Sequence, residues 1–554
     1  MLFSPSPIDS GPAGCSEASR FFRAVSFAEP GDAEMMLRLS LFLCAGFCCS
    51  LAQASDKPLN VLFLIADDLN NSMGCYGDAM VRTPNLDRLA SRGVRFDVAN
   101  CTFPLCGPSR NSMLTGLYPN STGILANSQI FRQTIPDAVS LPQCFRQQGY
   151  FAGRIGKLYH YNVPNSIGTV GHDDPGSWEL QLNPAGVDRT QEHSRIFSLV
   201  PGQFGGTLSW YASPHSDEHH TDAMQAADAE WVLERCARAG ERPFFLSVGF
   251  FRPHTPYVAP QKPWFELYDA NAMPVIGGVD ADRSDIPAMA LASQKKEQAT
   301  MTDEQRRLAR QAYYASISFM DAQVGRILDA LDRLQLSERT VVVFTSDHGY
   351  HLGEHGLWQK QSLFEESSRV PLLIAAPGMR RGEACRVPVS HVDLFPTLAD
   401  LCGLNAPAGL QGQSLVPLLR AENAPSRGWA LTQVMRGVSG GGARKNQAGK
   451  AGKASQETPS ESAAAAEPVR TFGYSLRTAR WRYTEWDGGR AGRELYDHSN
   501  DILEKTNLAS DAAYAETVSE LSGQLQSAVR STYPASGRIP EVREGLWAPL
   551  LLAP

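Results

Sequence analysis

NVLFLIADD, residues 60–68, is the stretch that decides the fold class. Its first seven residues form an almost unbroken aliphatic run, which is typical of a strand buried on both faces of a parallel sheet. TPNLDRLASRG, residues 83–93, predicts a helix with Thr83 as its N-cap candidate, a proline at the first helical position and Gly93 at its end. Together they predict a βα unit in which Asp67 and Asp68 follow the carboxyl end of the strand.

Strands and helices alternate through most of the chain. An apolar face on residues 320–334 predicts a helix, and it leads into a predicted strand at 340–345 that ends just before Asp347. Further buried strands are predicted at 244–248 and 372–375. We therefore expect an α/β fold with a large, mainly parallel mixed sheet covered by helices on both faces. Ligands of such sheets bind beyond the carboxyl ends of the strands, so the acidic residues there should meet.

The N-terminal region is expected to be removed. Residues 1–54 are predicted to form a dispensable extension followed by a signal peptide at about 36–54, with cleavage after Ala54. Its apolar run is shorter than the roughly 20 residues that span a bilayer. We therefore expect a secreted or periplasmic protein without a membrane span.

The remaining chain is predicted to have two parts. We expect the main α/β domain at 55–404 and a smaller C-terminal α+β subdomain, which carries an antiparallel sheet, at 405–554. Residues 438–468 are rich in Gly, Ala, Ser and Lys and predict a disordered insertion. Residues 473–486 alternate apolar and polar side chains, as in a half-exposed antiparallel hairpin.

Composition excludes some functions. The formal net charge is -7 and no run of basic residues stands out, which argues against a nucleic-acid partner. A local basic pocket for an anionic substrate stays compatible with that charge. The cysteines that follow Ala54 show no CxxC pair and no zinc-finger spacing, so their pairing stays open.

CGPSRNSMLTG, residues 106–116, is the most specific segment. It fits the pattern C-x-P-S-R-x-x-x-L-T-G at every defined position and resembles the signature of the sulfatase family, the formylglycine-dependent branch of the alkaline-phosphatase-like superfamily. The resemblance implies that Cys106 is oxidised to formylglycine by a formylglycine-generating or anaerobic sulfatase-maturating enzyme. A buried cysteine before a helix would explain Cys106 alone. It would not explain why the Pro, Ser, Arg and Leu-Thr-Gly of the sulfatase pattern follow at the same spacing.

Such an oxidation changes the chemistry available at Cys106. An aldehyde hydrates to a geminal diol, and one hydroxyl can attack the sulfur of a sulfate ester. Loss of the proton from the second hydroxyl then expels sulfate, so the covalent intermediate resolves itself. Arg110, in the same turn, is predicted to hold the diol and offset developing charge.

The acidic residues predict a cation site. Asp67, Asp68, Asp347 and His348 are the expected ligands of a divalent cation, together with residue 106. Mostly carboxylate ligation favours Ca²⁺ or Mg²⁺ over zinc, and the resemblance favours Ca²⁺. Taken singly, Asp-Asp could instead cap a helix and Asp-His-Gly could form a turn.

The resemblance covers nearly the whole mature chain and is strongest to the iduronate-2-sulfatase subgroup, through SDHGYHLGEHGLWQK at 346–360. It implies that Lys157 contacts sulfate and that His160 is the base acting on the diol. It also implies that His254 and Lys360 hold sulfate and protonate the leaving alcohol. In the same loop, His351 is expected to contact substrate and His355 to lie behind the metal ligands.

These expectations describe an enzyme that removes sulfate from sulfated carbohydrate. A 2-O-sulfated uronate in glycosaminoglycan-like chains is the substrate suggested by analogy. Two alternatives stay open. One is a phosphodiesterase or phosphonate monoester hydrolase of the same superfamily, and the other is a noncatalytic relative that binds sulfated glycans.

Overall fold

This computed structural model describes residues 57–240, 242–437 and 470–534. Twenty strands form the β-structure of these described residues. They are β1 (Asn60–Ala66), β2 (Val94–Phe96), β3 (Ala99–Asn100), β4 (Phe151–Gly156), β5 (Leu180–Leu182), β6 (Phe197–Ser198), β7 (Ser209–Ser213), β8 (Phe244–Gly249), β9 (Tyr257–Pro260), β10 (Thr340–Ser346), β11 (His351–Leu352), β12 (Trp358–Gln359), β13 (Arg369–Val370), β14 (Leu372–Ala375), β15 (Glu383–Cys385), β16 (Val389–Ser390), β17 (Trp429–Arg436), β18 (Thr471–Thr478), β19 (Trp481–Trp486) and β20 (Gly492–Asp497). The predicted signal peptide and the predicted insertion at 438–468 lie outside the described residues.

Eight α-helices of the described residues have five or more residues. They are α1 (Pro84–Arg92), α2 (Cys106–Thr115), α3 (Leu141–Gln147), α4 (Thr221–Ala239), α5 (Asp303–Arg333), α6 (Leu394–Leu401), α7 (Val416–Arg420) and α8 (Ala515–Ser531). Four-residue helices lie at Pro119–Thr122, Phe131–Thr134, Val187–Thr190, Val279–Asp282, Ala288–Leu291, Lys296–Ala299 and Glu365–Ser368. None of the described helices is long and apolar enough to cross a membrane.

The main sheet has eight strands in the order β15-β2-β14-β10-β1-β8-β4-β5. The run from β10 through β1, β8 and β4 to β5 is parallel. β14 is antiparallel to both of its neighbours, β10 and β2. The prediction of a large, mainly parallel mixed sheet is therefore confirmed, and the predicted strands at 244–248, 340–345 and 372–375 are all present.

Both faces of β1 are buried, as its aliphatic sequence predicts. Leu62 and Leu64 belong to one apolar core, which also contains residues of α4 and α5. Val61 and Phe63 point to the other core, which contains residues of α2, α3 and α6. Successive side chains of a strand face opposite sides, so a strand between two helical layers must be apolar throughout.

The helix predictions need two corrections. The helix predicted at 320–334 is only the C-terminal half of α5, which begins at Asp303 after a capping box formed by Thr302 and Gln305. α1 has the predicted bounds, but the Thr83 side chain does not cap it. Thr83 Oγ1 instead accepts a hydrogen bond from the backbone N–H of Gly74 at 2.9 Å. The Thr83 hydroxyl therefore accepts from a residue outside the helix and not from an N–H group of the first turn of α1.

The C-terminal sheet is antiparallel in the order β17-β18-β19-β20. The predicted hairpin is present as β18 and β19, but it is more buried than the half-exposed hairpin that we expected. Leu476 on one face packs in a cluster with Leu521 of α8. On the other face Trp486 packs in a cluster with Phe364. The described residues from Pro58 onward form one compact unit, and the boundary near residue 405 stays a prediction.

Candidate active site

Four neighbouring parallel strands carry the predicted site residues beyond their carboxyl ends. In the spatial order β10, β1, β8 and β4, these residues are Asp347 with His348, Asp67 with Asp68, His254, and Lys157. Parallel strands end at one edge of a sheet, so residues distant in sequence meet there. The two acidic segments do meet, because the backbone N–H of Asp68 donates to Asp347 Oδ1 at 3.1 Å.

Cys106 is the first residue of α2 and is buried beside these strand ends. Its Sγ lies 3.4 Å from His348 Nε2 and 4.0 Å from Asp68 Oδ1. Lys360 Nζ lies 3.2 Å from the same sulfur. Burial raises the pKa of the Cys106 thiol to about 12, despite the opposing effect of Lys157 and Lys360. The thiol is therefore protonated at neutral pH and is a weak nucleophile without modification.

Arg110 holds the acidic residues together. Its Nη2 and Nε donate to Asp67 Oδ1 and Asp347 Oδ2, each at 3.0 Å, and all three side chains are fully buried. Its Nη1 donates to the backbone carbonyls of Lys157 and Leu158 at 2.8 and 3.2 Å. Burial alone would raise the pKa of Asp347, but Arg110 and the neighbouring cations hold it well below its usual range. The guanidinium therefore fixes two carboxylates and the end of β4 in one arrangement.

The donor atoms of Asp68, Cys106, Asp347 and His348 all lie within 4.8 Å of one another. Nδ1 of His348 is hydrogen-bonded to the carbonyl of Gly349 at 2.9 Å, which leaves Nε2 facing the carboxylates. Asp68 Oδ2 is buried and accepts no hydrogen bond. A buried carboxylate oxygen without a donor, next to an oriented imidazole and further carboxylates, fits a divalent cation.

Two lysines neutralise the carboxylates around Cys106. Lys157 Nζ lies 2.5 Å from Asp67 Oδ2, and Lys360 Nζ contacts Asp68 Oδ1. Burial raises the pKa of Asp67 to about 7, and Lys157 opposes that rise. For Asp68 the burial effect is outweighed by His254, Lys360 and His348, which lower its pKa to about 2. The two adjacent carboxylates therefore differ in proton affinity.

The two predicted acid–base histidines are placed differently. His254 Nε2 lies 3.6 Å from Asp68 Oδ2, and its Nδ1 is hydrogen-bonded to the carbonyl of Thr255 at 2.6 Å. His160 is buried with an unpartnered Nδ1, and none of the described hydrogen bonds joins it to Cys106. Burial lowers the pKa of both imidazoles well below the usual range. Both rings are therefore neutral at neutral pH.

Left-handed backbone supports the site at three non-glycine residues. Asp68 has φ 63°, while Gln359 and Gln361 on either side of Lys360 have φ 73° and 74°. Such conformations are unfavourable for residues with a Cβ and persist where surrounding contacts enforce them. They bring the Asp68 carboxylate and the Lys360 ammonium together.

Sequence reasoning missed two groups that hold Asp68 and His348. Tyr313 of α5 donates from Oη to the backbone carbonyl of Asp68 at 2.7 Å. Ser346 Oγ accepts from the N–H of Leu69 and donates to the carbonyl of His348, both at 2.9 Å. Ser346 lies next to the predicted ligands and could have been found there, whereas no sequence signal marked Tyr313.

The two further loop histidines have no contact with Cys106 among those described. His351 is fully buried and its Nε2 is hydrogen-bonded to Ser362 Oγ at 2.6 Å. His355 is buried against Asp282, with Nδ1 3.1 Å from Oδ2. The His351 ring is therefore held within its own loop and the His355 ring by the short helix Val279–Asp282, and a substrate contact of His351 stays a prediction.

This fold and this site define a class of hydrolase that acts on esters of tetrahedral oxyanions. The chain belongs to the sulfatase family, since a family model described as Sulfatase matches residues 59–404. It is thus a sulfuric ester hydrolase of the alkaline-phosphatase-like fold, and its family generally uses a metal ion and a formylglycine.

Three similar proteins span most of the chain. A sulfatase of Formosa agariphila is 33% identical over 485 residues, which cover 85% of this chain and 86% of that protein. Iduronate 2-sulfatase of Mus musculus is 30% identical over 558 residues, covering 86% and 96%. The crystal structure of a phosphonate monoester hydrolase of Agrobacterium radiobacter is similar at a TM-score of 0.66 and 25% identity, covering 86% of this chain and 96% of that one.

Proposed function

We propose that this sulfatase removes sulfate from sulfated carbohydrates, with Cys106 converted to formylglycine by a maturation enzyme. The observation that carries the proposal is the cluster of Asp68, Asp347 and His348 around the Cys106 sulfur, within 4.8 Å. The hydrate of the oxidised residue would supply the nucleophilic oxygen, and a divalent cation would polarise the sulfate.

The fixed cations of the site would bind the sulfate. Lys360 Nζ lies 3.2 Å from Cys106 Sγ, the atom that oxidation to formylglycine would replace by oxygen. Lys157, which follows β4, contacts Asp67 of the same carboxylate cluster. Positive groups aimed at the nonbridging oxygens stabilise charge that develops as sulfate is transferred. Arg110 would act mainly by holding Asp67 and Asp347, since its donors are committed to them and to two carbonyls.

We propose Ca²⁺ as the cation, held by Asp67, Asp68, Asp347, His348 and the modified residue 106. Carboxylate-rich sites suit hard cations, and Ca²⁺ tolerates irregular geometry better than Mg²⁺ does. The imidazole of His348 is presented through Nε2 because its Nδ1 is held by a backbone carbonyl. That arrangement fixes the tautomer that a metal ligand requires.

His160 and His254 are proposed for the proton transfers. Both imidazoles are neutral at neutral pH, so either can accept a proton. His254, whose Nε2 lies 3.6 Å from Asp68 Oδ2, is proposed to protonate the leaving alcohol with Lys360, after the negative charge of the bound sulfate ester has raised the pKa of the imidazole and the ring has taken up a proton. His160, with its unpartnered Nδ1, is proposed as the base that releases sulfate from the enzyme.

The carbohydrate and the location are proposed by similarity. Iduronate 2-sulfatase is named for a sulfated uronate and is 30% identical over most of its length, which supports a 2-O-sulfated uronate as substrate. The predicted signal peptide supports a secreted or periplasmic enzyme that meets glycosaminoglycan-like chains outside the cytoplasm.

A second candidate is hydrolysis of phosphonate monoesters or phosphodiesters. The similarity to the Agrobacterium radiobacter phosphonate monoester hydrolase favours it. Sulfate and phosphate esters present similar tetrahedral oxygens, so the same cations could serve both. We keep sulfated carbohydrate as the proposed substrate because this chain is 33% identical to the Formosa agariphila sulfatase and 25% identical to the phosphonate monoester hydrolase.

The test compares kcat/KM for 4-nitrophenyl sulfate, a 4-nitrophenyl phosphodiester and a phosphonate monoester, with the protein coexpressed with a formylglycine-generating enzyme. We expect the sulfate to be hydrolysed fastest and Cys106→Ala to lose at least about 10³-fold in rate. Cys101→Ala, which changes a second buried cysteine, should retain activity. Faster turnover of either phosphorus ester would favour the second candidate, and sulfated-glycan binding without turnover by the modified protein would favour a noncatalytic relative.

A further inference from the structure

Tyr313, a fully buried residue of α5, places its hydroxyl against the backbone that carries Asp68. Its Oη donates to the carbonyl of Asp68 at 2.7 Å and accepts from the N–H of Asn70 at 3.0 Å. Both backbone groups belong to a segment that follows β1 outside any helix or strand. A single side chain therefore satisfies two polar groups that the main sheet does not pair.

The Asp68 backbone is held in an unfavourable conformation. Its φ is 63°, a left-handed value that a residue with a Cβ keeps only where its surroundings enforce it. Its N–H donates to Asp347 Oδ1 at 3.1 Å, and its carbonyl accepts from Tyr313. Asp347 belongs to the charged cluster itself. Among the described hydrogen bonds, that from Tyr313 is thus the one that holds the Asp68 backbone from outside this cluster.

Two further buried tyrosines fix the ring of Tyr313. It stacks on Tyr350 at 5.3 Å between ring centroids and 15° between ring planes, and it meets Tyr257 edge-on at 5.4 Å. The hydroxyls of Tyr350 and Tyr257 are hydrogen-bonded to each other at 2.6 Å. Side chains packed in this way have little rotational freedom. The Tyr313 hydroxyl is therefore a donor whose position is set in advance.

The aim of the Asp68 carboxylate depends on its backbone. Lys360 contacts Oδ1, whereas the buried Oδ2 accepts no hydrogen bond and has His254 Nε2 at 3.6 Å. The side-chain rotamers open to a residue are limited by its φ and ψ. A change at the Asp68 backbone would therefore redirect the oxygen that has no donor, which is the oxygen available to a cation.

We propose that Tyr313 is a positioning residue for the cation, because its hydroxyl holds the left-handed turn at Asp68 and so aims the Asp68 carboxylate into the Ca²⁺ site. The inference rests on the proposed function, which assigns Ca²⁺ to this cluster. Tyr313 acts through Asp68 and touches neither the cation ligand atoms nor Cys106. Its removal should therefore change the affinity for Ca²⁺ more than the chemistry at saturating Ca²⁺.

Calorimetric titration of Ca²⁺ tests this role on the full chain, coexpressed with a formylglycine-generating enzyme and then freed of bound metal with EDTA. We expect Tyr313→Phe to raise the Kd for Ca²⁺ about 10- to 100-fold, since groups that orient metal ligands have effects of this size. The phenylalanine ring can keep the stack on Tyr350. At saturating Ca²⁺, kcat for 4-nitrophenyl sulfate should return toward the wild-type value.

Tyr314→Phe is the matched control, because it removes a buried hydroxyl from the next residue of α5. That hydroxyl donates to Asp78 Oδ2 at 3.0 Å and makes no described contact with Asp68. Its Kd for Ca²⁺ should equal that of the wild type. The same Kd in Tyr313→Phe and Tyr314→Phe would overturn the inference, even where urea denaturation in EDTA shows that Tyr313→Phe is less stable.

A second variant keeps the hydrogen-bond donor. Tyr313→4-aminophenylalanine, made by stop-codon suppression, still has an N–H that can donate to the Asp68 carbonyl. Its Kd for Ca²⁺ should lie closer to the wild type than to Tyr313→Phe. Where Tyr313→Phe does not fold, a wild-type Kd in the amino variant supports the role of the donor. A Kd for the folded amino variant as high as that expected for Tyr313→Phe would count against it.

Failure of the proposed function gives a different result, namely no release of sulfate from any ester by a wild type that still binds Ca²⁺. Calorimetry then still decides the role of Tyr313, because binding of the cation does not require turnover. A wild type that releases sulfate but shows no binding of Ca²⁺ would overturn the inference and leave the proposed reaction standing.

Discussion

Arg110 shows at the scale of one residue how the acidic cluster around Cys106 is held together. Its guanidinium joins two aspartates from different strands, Asp67 after β1 and Asp347 after β10. The sequence predicted that Arg110 would hold the diol of the modified residue 106, whereas in the structure it contacts carboxylates and backbone carbonyls. A planar fork of donors can hold such a set, and a lysine cannot.

Replacing Arg110 should destabilise the fold strongly. Arg110→Gln leaves two buried carboxylates without their shared partner, so we expect the free energy of unfolding to fall by about 3–5 kcal/mol, with Arg110→Lys rescuing only part of it. Urea denaturation measures the loss. Arg381→Gln, at an exposed pair 3.9 Å from Glu338, should change stability by less than about 0.5 kcal/mol. Similar stability of the two Gln variants would contradict the bridging role.

His160 should set the acid limb of the pH profile. Burial and the neighbouring Lys157 lower the pKa of His160 well below 6.5. A base with a lowered pKa loses activity only when the pH falls below that lowered value, so the acid limb of kcat, which includes the release of sulfate, should lie below pH 6.5. His160→Gln should lower kcat about 10²-fold or more and remove that limb. His215→Gln, at a partly exposed histidine, is the control. An acid limb at pH 6.5 or above in the wild type would count against His160 as the base.

At the scale of elements, the sequence predicted the strands that are apolar throughout and the bounds of α1, although the Thr83 side chain does not cap that helix. β1 and β10 could be found because a buried strand between helical layers needs an unbroken aliphatic run. Tyr313 could not be found, because it reaches the carbonyl of Asp68 through the packing of α5 against the sheet. Its role depends on a tertiary contact between residues far apart in the chain.

The close approach of β4 and β8 depends on glycine. Gly156 and Gly249 are register partners at the ends of these strands, and a Cβ on Gly249 would lie 1.9 Å from the backbone oxygen of Lys157. Gly249→Ala should therefore displace Lys157, lower stability by about 1–3 kcal/mol and reduce sulfate release. Gly523→Ala, on α8 with open space around it, should be neutral or stabilising by up to about 1 kcal/mol. Equal denaturation midpoints for the two variants would show that β4 and β8 can move apart and accept the added Cβ, which would contradict the prediction.

At the scale of the whole molecule, the C-terminal sheet supports the segment that carries Lys360. Arg482 of β19 is buried and contacts both Glu365 and Glu504. Glu365 follows Lys360 by five residues, and its backbone N–H donates to Glu504 Oε2 at 2.8 Å. A buried ionic network therefore connects the C-terminal sheet to the active-site segment, which explains why residues beyond 405 belong to the same compact unit.

Breaking that network should affect both stability and activity. Arg482→Gln leaves two buried glutamates with fewer partners, so we expect a loss of about 3–5 kcal/mol in the free energy of unfolding. Because Glu365 anchors the segment after Lys360, kcat/KM for 4-nitrophenyl sulfate should fall as well, under conditions where the variant is still folded. Arg490→Gln removes an exposed pair with Asp487 and should leave the free energy of unfolding nearly unchanged. Full activity in a destabilised Arg482→Gln protein would mean that the C-terminal sheet stabilises the fold without positioning Lys360.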